Sequence, residues 1–217
     1  MKAHLKYQNT NLFQKDMLDR KKWNNLSLEQ LWESSFNKEV LKFICGYELK
    51  RIKKIYFNLK IKHEGVSKDE YLKHPLRMCL FFKKYFPNTF PKAFVLICFH
   101  NILEVTDLDK IEIINNLGKD NFEHLLILTI ERSKQRSINY LKNYYKKIIE
   151  NNICFLVKIV DKYDNLFDLK NNKSIPIKKF YINEIEAFIK PKLDKNASFR
   201  ESFLKNIIYN KSLLNDK

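Results

Sequence analysis

A chain of 217 residues that is 45% hydrophobic and 14% aromatic can bury a sizeable core, which argues against an intrinsically disordered protein. Only 3 glycines and 5 prolines argue against a turn-rich sandwich or barrel and favour long helices. The formal net charge of +16 points to an anionic partner such as a nucleotide, nucleic acid or a membrane surface.

The positive charge has a second explanation. Nearly all of it is lysine, accompanied by many asparagines and isoleucines, as an AT-rich coding sequence would give. Nucleic-acid sites usually add arginine for bidentate contacts, and arginine is scarce here. Compositional bias plus a locally basic pocket is therefore favoured over a dedicated nucleic-acid surface.

The four cysteines are far apart and lie inside apolar segments, with no metal-ligand or redox spacing between any two of them. Reduced, buried thiols of a cytosolic protein are the expectation. The first residues lack the apolar core of a signal peptide, and no apolar stretch is long enough to cross a bilayer. The sequence predicts a soluble, cytoplasmic protein without a membrane partner.

In the first quarter of the chain, the sequence pattern predicts short helices between polar segments. Residues 1–25 are polar with scattered apolar positions, so we expect a loosely packed lead-in. Ser27 begins a capping-box pattern that opens a short helix. Asn37 is a cap for the next helix, whose apolar positions recur at helical spacing until Gly65 stops it after His63.

The middle of the chain contains the most apolar helix. A second capping-box pattern at Ser67 leads to His74, which we place at the start of a helix that Pro87 ends. Pro91 suits the first turn of the apolar helix that ends near His100.

The last half of the chain is also predicted to be helical. Asp107 is predicted to cap a short helix that Gly118 ends, and Asp120 resembles the cap of the next one. The remaining predicted segments are a basic, tyrosine-rich stretch at 137–150, an apolar helix at 152–168, a loop at 170–176, an amphipathic helix ending before Pro191, and a helix at 198–214.

These patterns predict an all-α protein, a multi-helix bundle with a C-terminal helical extension. We divide it into a helical lead-in (1–36), a main domain (37–172) and the extension (173–217).

Residues suited to metal binding and proton transfer follow the apolar run. His100 and Asn101 end it, and Glu104 comes four residues after the histidine. On one continuous helix, His100 and Glu104 would lie one turn apart on the same face.

A polar stripe crosses the apolar helix at 152–168. Lys158, Asp161 and Asn165 share one face at spacings of three and four residues. Burying them is costly unless something pairs with them, and a divalent metal is one such partner; a structural Lys158–Asp161 ion pair is the alternative. With nitrogens from His74 and His100, the ligand set suits manganese, iron or zinc, and its carboxylate favours manganese or magnesium.

The order of these motifs resembles the HD-domain superfamily over roughly residues 50–170. The closest resemblance is to the alarmone hydrolase branch, which comprises the hydrolase domains of RelA/SpoT-type enzymes and the small alarmone hydrolases. Those proteins show His-Pro-Leu, then His-Asp followed by Glu-Asp-Thr, then Lys-x-x-Asp-x-x-x-Asn. The matching segments here begin at His74, His100 and Lys158.

The resemblance implies hydrolysis of the 3′-pyrophosphate from guanosine tetra- or pentaphosphate with one Mn²⁺. Glu104 would take the proton of the attacking water. Asn165 would contact the substrate, and Lys158 would orient or neutralise a phosphate. The implied metal ligands are His74, His100, Asn101 and Asp161. Weaker candidates for substrate contacts, for which packing or surface roles are the alternative, are His63, Lys68, Arg77 and Tyr144.

The chain also departs from the family pattern. Asn101 replaces the defining aspartate, which should weaken metal binding, and Val105 stands where the family has a second acid. The segment before His74 is shorter than in the family and lacks its Arg-Lys pair, of which Lys68 is the remnant. Weakened, altered or lost catalysis is therefore expected.

Three functions stay open from the sequence. The first is an HD-type phosphohydrolase acting on an alarmone or related nucleotide. The second is a catalytically inactive HD fold that binds a nucleotide or a protein as a regulator, which Asn101 and Val105 favour. The third is a basic helical nucleic-acid-binding protein, for which the basic stretch at 142–147 is a candidate surface.

Overall fold

The computed structural model describes residues 11–36, 44–62, 67–193 and 196–215. Within these ranges the chain forms α-helices and short 3₁₀ turns, without strands, which confirms the predicted all-α, multi-helix fold. None of the described helices has the length and apolar character needed to span a membrane.

The helices are α1 (Leu12–Asn24), α2 (Leu28–Ser35), α3 (Gly46–Asn58), α4 (Lys68–Tyr85), α5 (Phe90–Phe99), α6 (Ile102–Val105), α7 (Lys110–Leu117), α8 (Lys119–Leu128), α9 (Ile138–Glu150), α10 (Asn152–Asp168), α11 (Ile175–Phe188) and α12 (Ala197–Asn215). The 3₁₀ turns are Arg132–Lys134, Leu169–Asn171 and Lys190–Lys192.

Side-chain caps fix several helix starts as predicted. Ser27 forms both bonds of a capping box, since its hydroxyl accepts from the Gln30 N–H at 3.2 Å and its own N–H donates to the Gln30 side chain at 2.9 Å. Ser67 caps α4 through one such bond, since its hydroxyl accepts from the Glu70 N–H at 3.2 Å. Each bond satisfies a backbone donor that the first helical turn leaves without a partner.

Two predicted caps are wrong. Asp109 rather than Asp107 caps α7, and its carboxylate accepts from the Glu112 N–H at 2.8 Å. Asp120 lies inside α8, which begins directly after Gly118. Gly118 has φ 88°, a conformation that lets α7 end and α8 begin without an intervening loop, so no capping residue is needed there.

The predicted limits of the helix before His74 fall largely outside the described residues. Asn37, His63 and Gly65 all lie there. The described helix of this region, α3, begins at Gly46 and ends at Asn58.

Helix α4 continues through Pro75, which corrects the position predicted for His74. The histidine lies in the second turn of α4, not at the start of a helix. Proline removes one backbone hydrogen bond and crowds the preceding turn. Packing offsets this cost, because Leu72, Leu76 and Cys79 on the same helix are fully buried.

Contacts divide the chain into two compact units, one within 1–26 and 162–217 and the other within 27–161. The division falls inside α10. The domain limits at 36 and 172 stay a prediction.

The unit at 27–161 is built around α5. Every side chain from Ala93 to Phe99 is buried, and α5 contacts α3, α4 and α8. Helix α4 also packs against α2, and α8 packs against α6, α7 and α9. The residue that follows α5, His100, is thereby held inside the core of this unit.

The other unit shows that the lead-in is not loosely packed where it is described. Helix α1 packs against α12 and buries Phe13, Asp16 and Arg20. Asp16 accepts a hydrogen bond from Ser202 at 2.6 Å, and the Arg20 Nε donates to Asp164 at 2.8 Å. Because α1 buries polar as well as apolar residues, its sequence lacks the apolar repeat that would have revealed it.

Candidate metal centre

Three side chains from distant parts of the sequence meet in the unit at 27–161. His74 comes from α4, His100 from the end of α5 and Asp161 from α10. One ligand atom from each lies within 4.8 Å of the other two. The fold therefore brings together three of the four predicted metal ligands.

Both imidazoles face the same carboxylate oxygen. His74 Nε2 lies 3.2 Å and His100 Nε2 3.7 Å from Asp161 Oδ1. The two rings are 5.3 Å apart between centroids, at an interplanar angle of 67°. The exposed fractions of the side chains are 13% for His74, 6% for Asp161 and 1% for His100, so water is largely excluded.

The tautomer of His100 is set by the backbone. Its Nδ1–H donates to the carbonyl of Ile97 at 2.8 Å, since a carbonyl oxygen can only accept. In the neutral ring, Nε2 then carries a lone pair. This buried nitrogen has no hydrogen-bond partner among the described residues, and 3.7 Å to Asp161 is too long for one.

A bound cation fits this arrangement. Two hydrogen-bond acceptors face one another in a buried place, which is unfavourable unless a proton or a cation lies between them. A histidine whose Nδ1–H is fixed by a carbonyl and whose Nε2 is bare has the usual form of a metal ligand. The donor set of two imidazole nitrogens and a carboxylate oxygen suits a transition-metal dication.

Lys158 holds the other oxygen of the same carboxylate. Its Nζ donates to Asp161 Oδ2 at 3.0 Å, and its exposed fraction is 6%. Burial alone would raise the pKa of Asp161, but the Lys158 ammonium and the two histidines lower it well below its usual range. The structural ion pair considered from the sequence is thus present, and its carboxylate also faces both histidines.

Asn101 lies between α5 and α6, next to His100. Its side chain lies close enough to the hydroxyl of Tyr71 to lower the pKa of that group. Burial is the main cause that raises the pKa of Tyr71 above its usual range, and the nearby carboxylates of Glu104 and Asp161 raise it further. The Asn101 side chain is therefore part of a polar group that includes Tyr71, close to Glu104 and Asp161.

Glu104 does not share a helix with His100, contrary to the prediction. Helix α5 ends at Phe99, and α6 begins after Asn101, so the one-turn spacing does not apply. Instead, Glu104 Oε2 accepts from Arg132 Nε at 2.9 Å and Nη2 at 2.6 Å. The N–H of Ile130 lies 3.4 Å from Oε1. The carboxylate is 7% exposed and is held in place by its arginine partner.

Arg132 and Tyr71 were not predicted. Arg132 lies in a 3₁₀ turn outside any motif, so nothing in the sequence indicated its pairing with a glutamate 28 residues earlier. Tyr71 lies three residues before His74 on the same helix. A helix predicted to run from Ser67 through Pro75 would have placed Tyr71 on the same face as His74, because residues three apart lie on one side of a helix.

The predicted substrate residues of α4 differ in exposure. Lys68 is exposed at the first position of α4, and its ammonium donates to the carbonyl of Phe57 at 2.7 Å. Six residues separate it from His74, about 9 Å along the helix axis. Arg77 is buried three residues after His74.

The other two predicted substrate residues are Tyr144, which lies beside Lys158, and Asn165, which follows Asp161 on α10. The hydroxyl of Tyr144 donates to the carbonyl of Leu128 at 2.6 Å, and its ring lies 5.9 Å from Lys158 Nζ. Asn165 is half-buried one helical turn after Asp161, in the part of α10 that belongs to the other unit. Val105, at the position of the family's second acid, is buried.

No model of a known protein family, no curated protein and no solved structure matches this chain. The centre itself combines a buried cluster of three possible metal ligands with a carboxylate that an arginine holds in place.

Proposed function

We propose that this chain is a metal-dependent phosphohydrolase of the HD type that acts on an anionic nucleotide, with guanosine tetra- or pentaphosphate as the first substrate to test. One observation carries the proposal. The buried Nε2 of His100, without a hydrogen-bond partner among the described residues, points to the same space as His74 and Asp161.

His74, His100 and Asp161 would hold the cation, and Asn101 is the candidate for a further oxygen ligand. Manganese fits a set of two imidazoles and one carboxylate in a site with an amide rather than a second anion. Such a dication supplies Lewis acidity towards water and towards a phosphate group.

Lys158 acts on the ligand, not on the substrate. Its contact with Asp161 Oδ2 leaves Oδ1 directed at the histidines, which fixes the orientation of the carboxylate. Attraction to Asp161 raises the pKa of Lys158 above its usual range, although burial alone would lower it. The lysine therefore stays charged and keeps Asp161 in its ionised, ligating form.

Glu104 is the candidate proton acceptor, and Arg132 controls it. The arginine is 67% exposed, and its Nε and Nη2 both contact one oxygen of Glu104. A substrate phosphate that attracts the guanidinium would release this carboxylate to accept a proton from water. Arg132 would then bind substrate and control the base at once.

The test is pyrophosphate release from guanosine tetraphosphate by the purified full chain with added Mn²⁺. We expect Asp161→Asn and Glu104→Gln to lower the rate by at least about a hundredfold. The matched controls are His124→Gln for a histidine and Glu123→Gln for an exposed glutamate, neither of which belongs to the centre. Mn²⁺ binding by electron paramagnetic resonance should be lost in His100→Gln and kept in His124→Gln. An active protein whose rate is unchanged in Asp161→Asn would contradict the proposal.

The second candidate is an inactive HD fold that binds a nucleotide as a regulator. The contact between Glu104 and Arg132 favours it, because the guanidinium occupies the carboxylate oxygen that would have to contact the attacking water. Asn101, in place of an aspartate, favours it too. Binding of guanosine tetraphosphate without any release of pyrophosphate would support this candidate over the hydrolase.

A further inference from the structure

A second candidate site lies between α3 and α7, in the unit at 27–161. It is a partly open cavity of about 690 Å³. Two bridges join its walls: the Arg51 guanidinium of α3 donates to the carbonyl of Asn116 in α7, and Lys62 pairs with Asp107. The backbone N–H of Lys62 also donates to the carbonyl of Val105 at 2.7 Å. These contacts connect the two sides of the cavity, α3 with the residues after it and α7 with the residues before it.

Part of the lining is apolar. Ile55 and Leu108 are half-buried, and Leu59 is 7% exposed. Ligand sites in proteins are typically about 300–1,000 Å³ and combine such apolar contacts with a few polar groups. The volume and the apolar lining suit a planar ring with substituents, such as a nucleoside.

The charge of the lining is positive. Four cations and two carboxylates line the cavity. The Lys62–Asp107 and Arg51–Asn116 contacts engage two of these cations. Lys54 and Lys60 are exposed, and neither forms an ion pair with any described residue. Two ammonium groups at one cavity suit an anion with several oxygens, such as a phosphate or pyrophosphate group.

We propose that this cavity binds a nucleotide-sized phosphorylated compound, with its phosphates on Lys54 and Lys60 and its ring on Leu59 and Leu108. The carboxylate of Glu112, which also lines the cavity, offers an acceptor for a sugar hydroxyl or a ring N–H.

This site is separate from the metal centre, since none of its lining residues belongs to that centre. It nevertheless lies close along the chain, because Thr106 lines the cavity two residues after Glu104. Thr106 is also tied to α6 by its hydroxyl, which donates to the carbonyl of Ile102 at 2.8 Å. The proposal does not depend on the hydrolase function.

The experiment measures the affinity of GTP and of inorganic pyrophosphate for the full chain by isothermal titration calorimetry, in EDTA. The cavity variant is Lys54→Glu/Lys60→Glu. The matched control is Lys50→Glu/Lys142→Glu, which makes the same change in charge at exposed positions outside the cavity. We expect the cavity variant to lose at least about tenfold in affinity for both probes, while the control loses less than about twofold.

A second variant tests the ring site. Leu108→Ala should weaken GTP by several-fold and leave pyrophosphate unchanged, because only the nucleotide has a ring. Circular dichroism melts of every variant check that the fold is kept.

Three results would overturn the proposal. Equal losses in the cavity and control variants would show general attraction by the basic surface, as expected for a nucleic-acid binder. Absence of GTP binding at millimolar concentration would show that the cavity takes no nucleotide. Loss of GTP binding in His100→Gln, with normal binding in the lysine variant, would place the nucleotide at the metal centre. Mn²⁺ binding and pyrophosphate release are measured separately, so failure of the hydrolase proposal leaves this test intact.

Discussion

Replacing Lys158 by methionine should destabilise the protein strongly in the absence of metal. The change removes the ammonium and keeps most of the apolar stem, so it isolates the charge. At 3.0 Å, the attraction between Lys158 and Asp161 is about 5–6 kcal/mol for an effective dielectric constant of about 20. Removing one partner of such a buried pair typically costs about 3–5 kcal/mol, because the other charge stays buried.

The measurement is urea unfolding followed by circular dichroism in EDTA. We expect the free energy of unfolding to fall by about 4 kcal/mol, which corresponds to a fall of roughly 8–16 °C in Tm for a chain of this size. Lys147→Met, at an exposed position of α9, is the control and should change stability by less than about 0.5 kcal/mol.

A double variant and added metal complete the test. Lys158→Met/Asp161→Asn should be less destabilised than the sum of the single variants, since the uncompensated charge is gone. Mn²⁺ should stabilise Lys158→Met, because a cation among the ligands would balance the buried charge of Asp161, which the variant leaves without its lysine partner. The reasoning is refuted if Lys158→Met costs less than about 1 kcal/mol, or if the two single effects simply add.

Three further predictions concern other parts of the chain. Asn101→Asp should tighten Mn²⁺ binding by at least about tenfold in an electron paramagnetic resonance titration, since it adds an anionic oxygen; an unchanged affinity would exclude Asn101 as a ligand position. Gly118→Ala should lower the unfolding free energy by about 1–3 kcal/mol because φ is 88° there, whereas Gly46→Ala at the first position of α3 should be neutral or slightly stabilising. Burial raises the pKa of Cys154 to about 12, so Ellman's reagent at pH 8 should label exposed Cys45 at least about a hundredfold faster than Cys154. Equal labelling rates for the two thiols would contradict the burial of Cys154. Because this thiol ionises at a lower pH in the unfolded chain than in the folded one, the free energy of unfolding should also fall as the pH rises from about 8.5 towards 12.

Local interactions made much of the helical pattern predictable. The caps at Ser27 and Ser67 depend on side chains three residues from the N–H they accept from, so the sequence contains the whole interaction. The long apolar helix α10 and the end of α5 at His100 follow from runs of buried residues. His74, His100 and Asp161 were predicted as a group from a sequence resemblance that stays a prediction, and the structure places the three side chains together.

Interactions between distant residues could not be predicted. The pairing of Glu104 with Arg132 joins α6 to a 3₁₀ turn 28 residues later, and neither position carries a sequence signal for the other. The helical packing of α1 was missed because its buried side includes Asp16 and Arg20, which bind partners far along the chain. His74 was predicted at the start of a helix, whereas α4 continues through Pro75 because the burial of neighbouring side chains offsets the lost backbone bond.

The two ion pairs at the candidate metal centre carry no net charge. The carboxylates of Asp161 and Glu104 are matched by the cations of Lys158 and Arg132. A dication bound there alone would leave an excess of two positive charges, and a doubly charged phosphate group would restore neutrality. Metal and phosphate should therefore bind cooperatively, and by thermodynamic reciprocity each should tighten the other by the same factor. The order in which they are added to the protein should then leave the final occupancy unchanged.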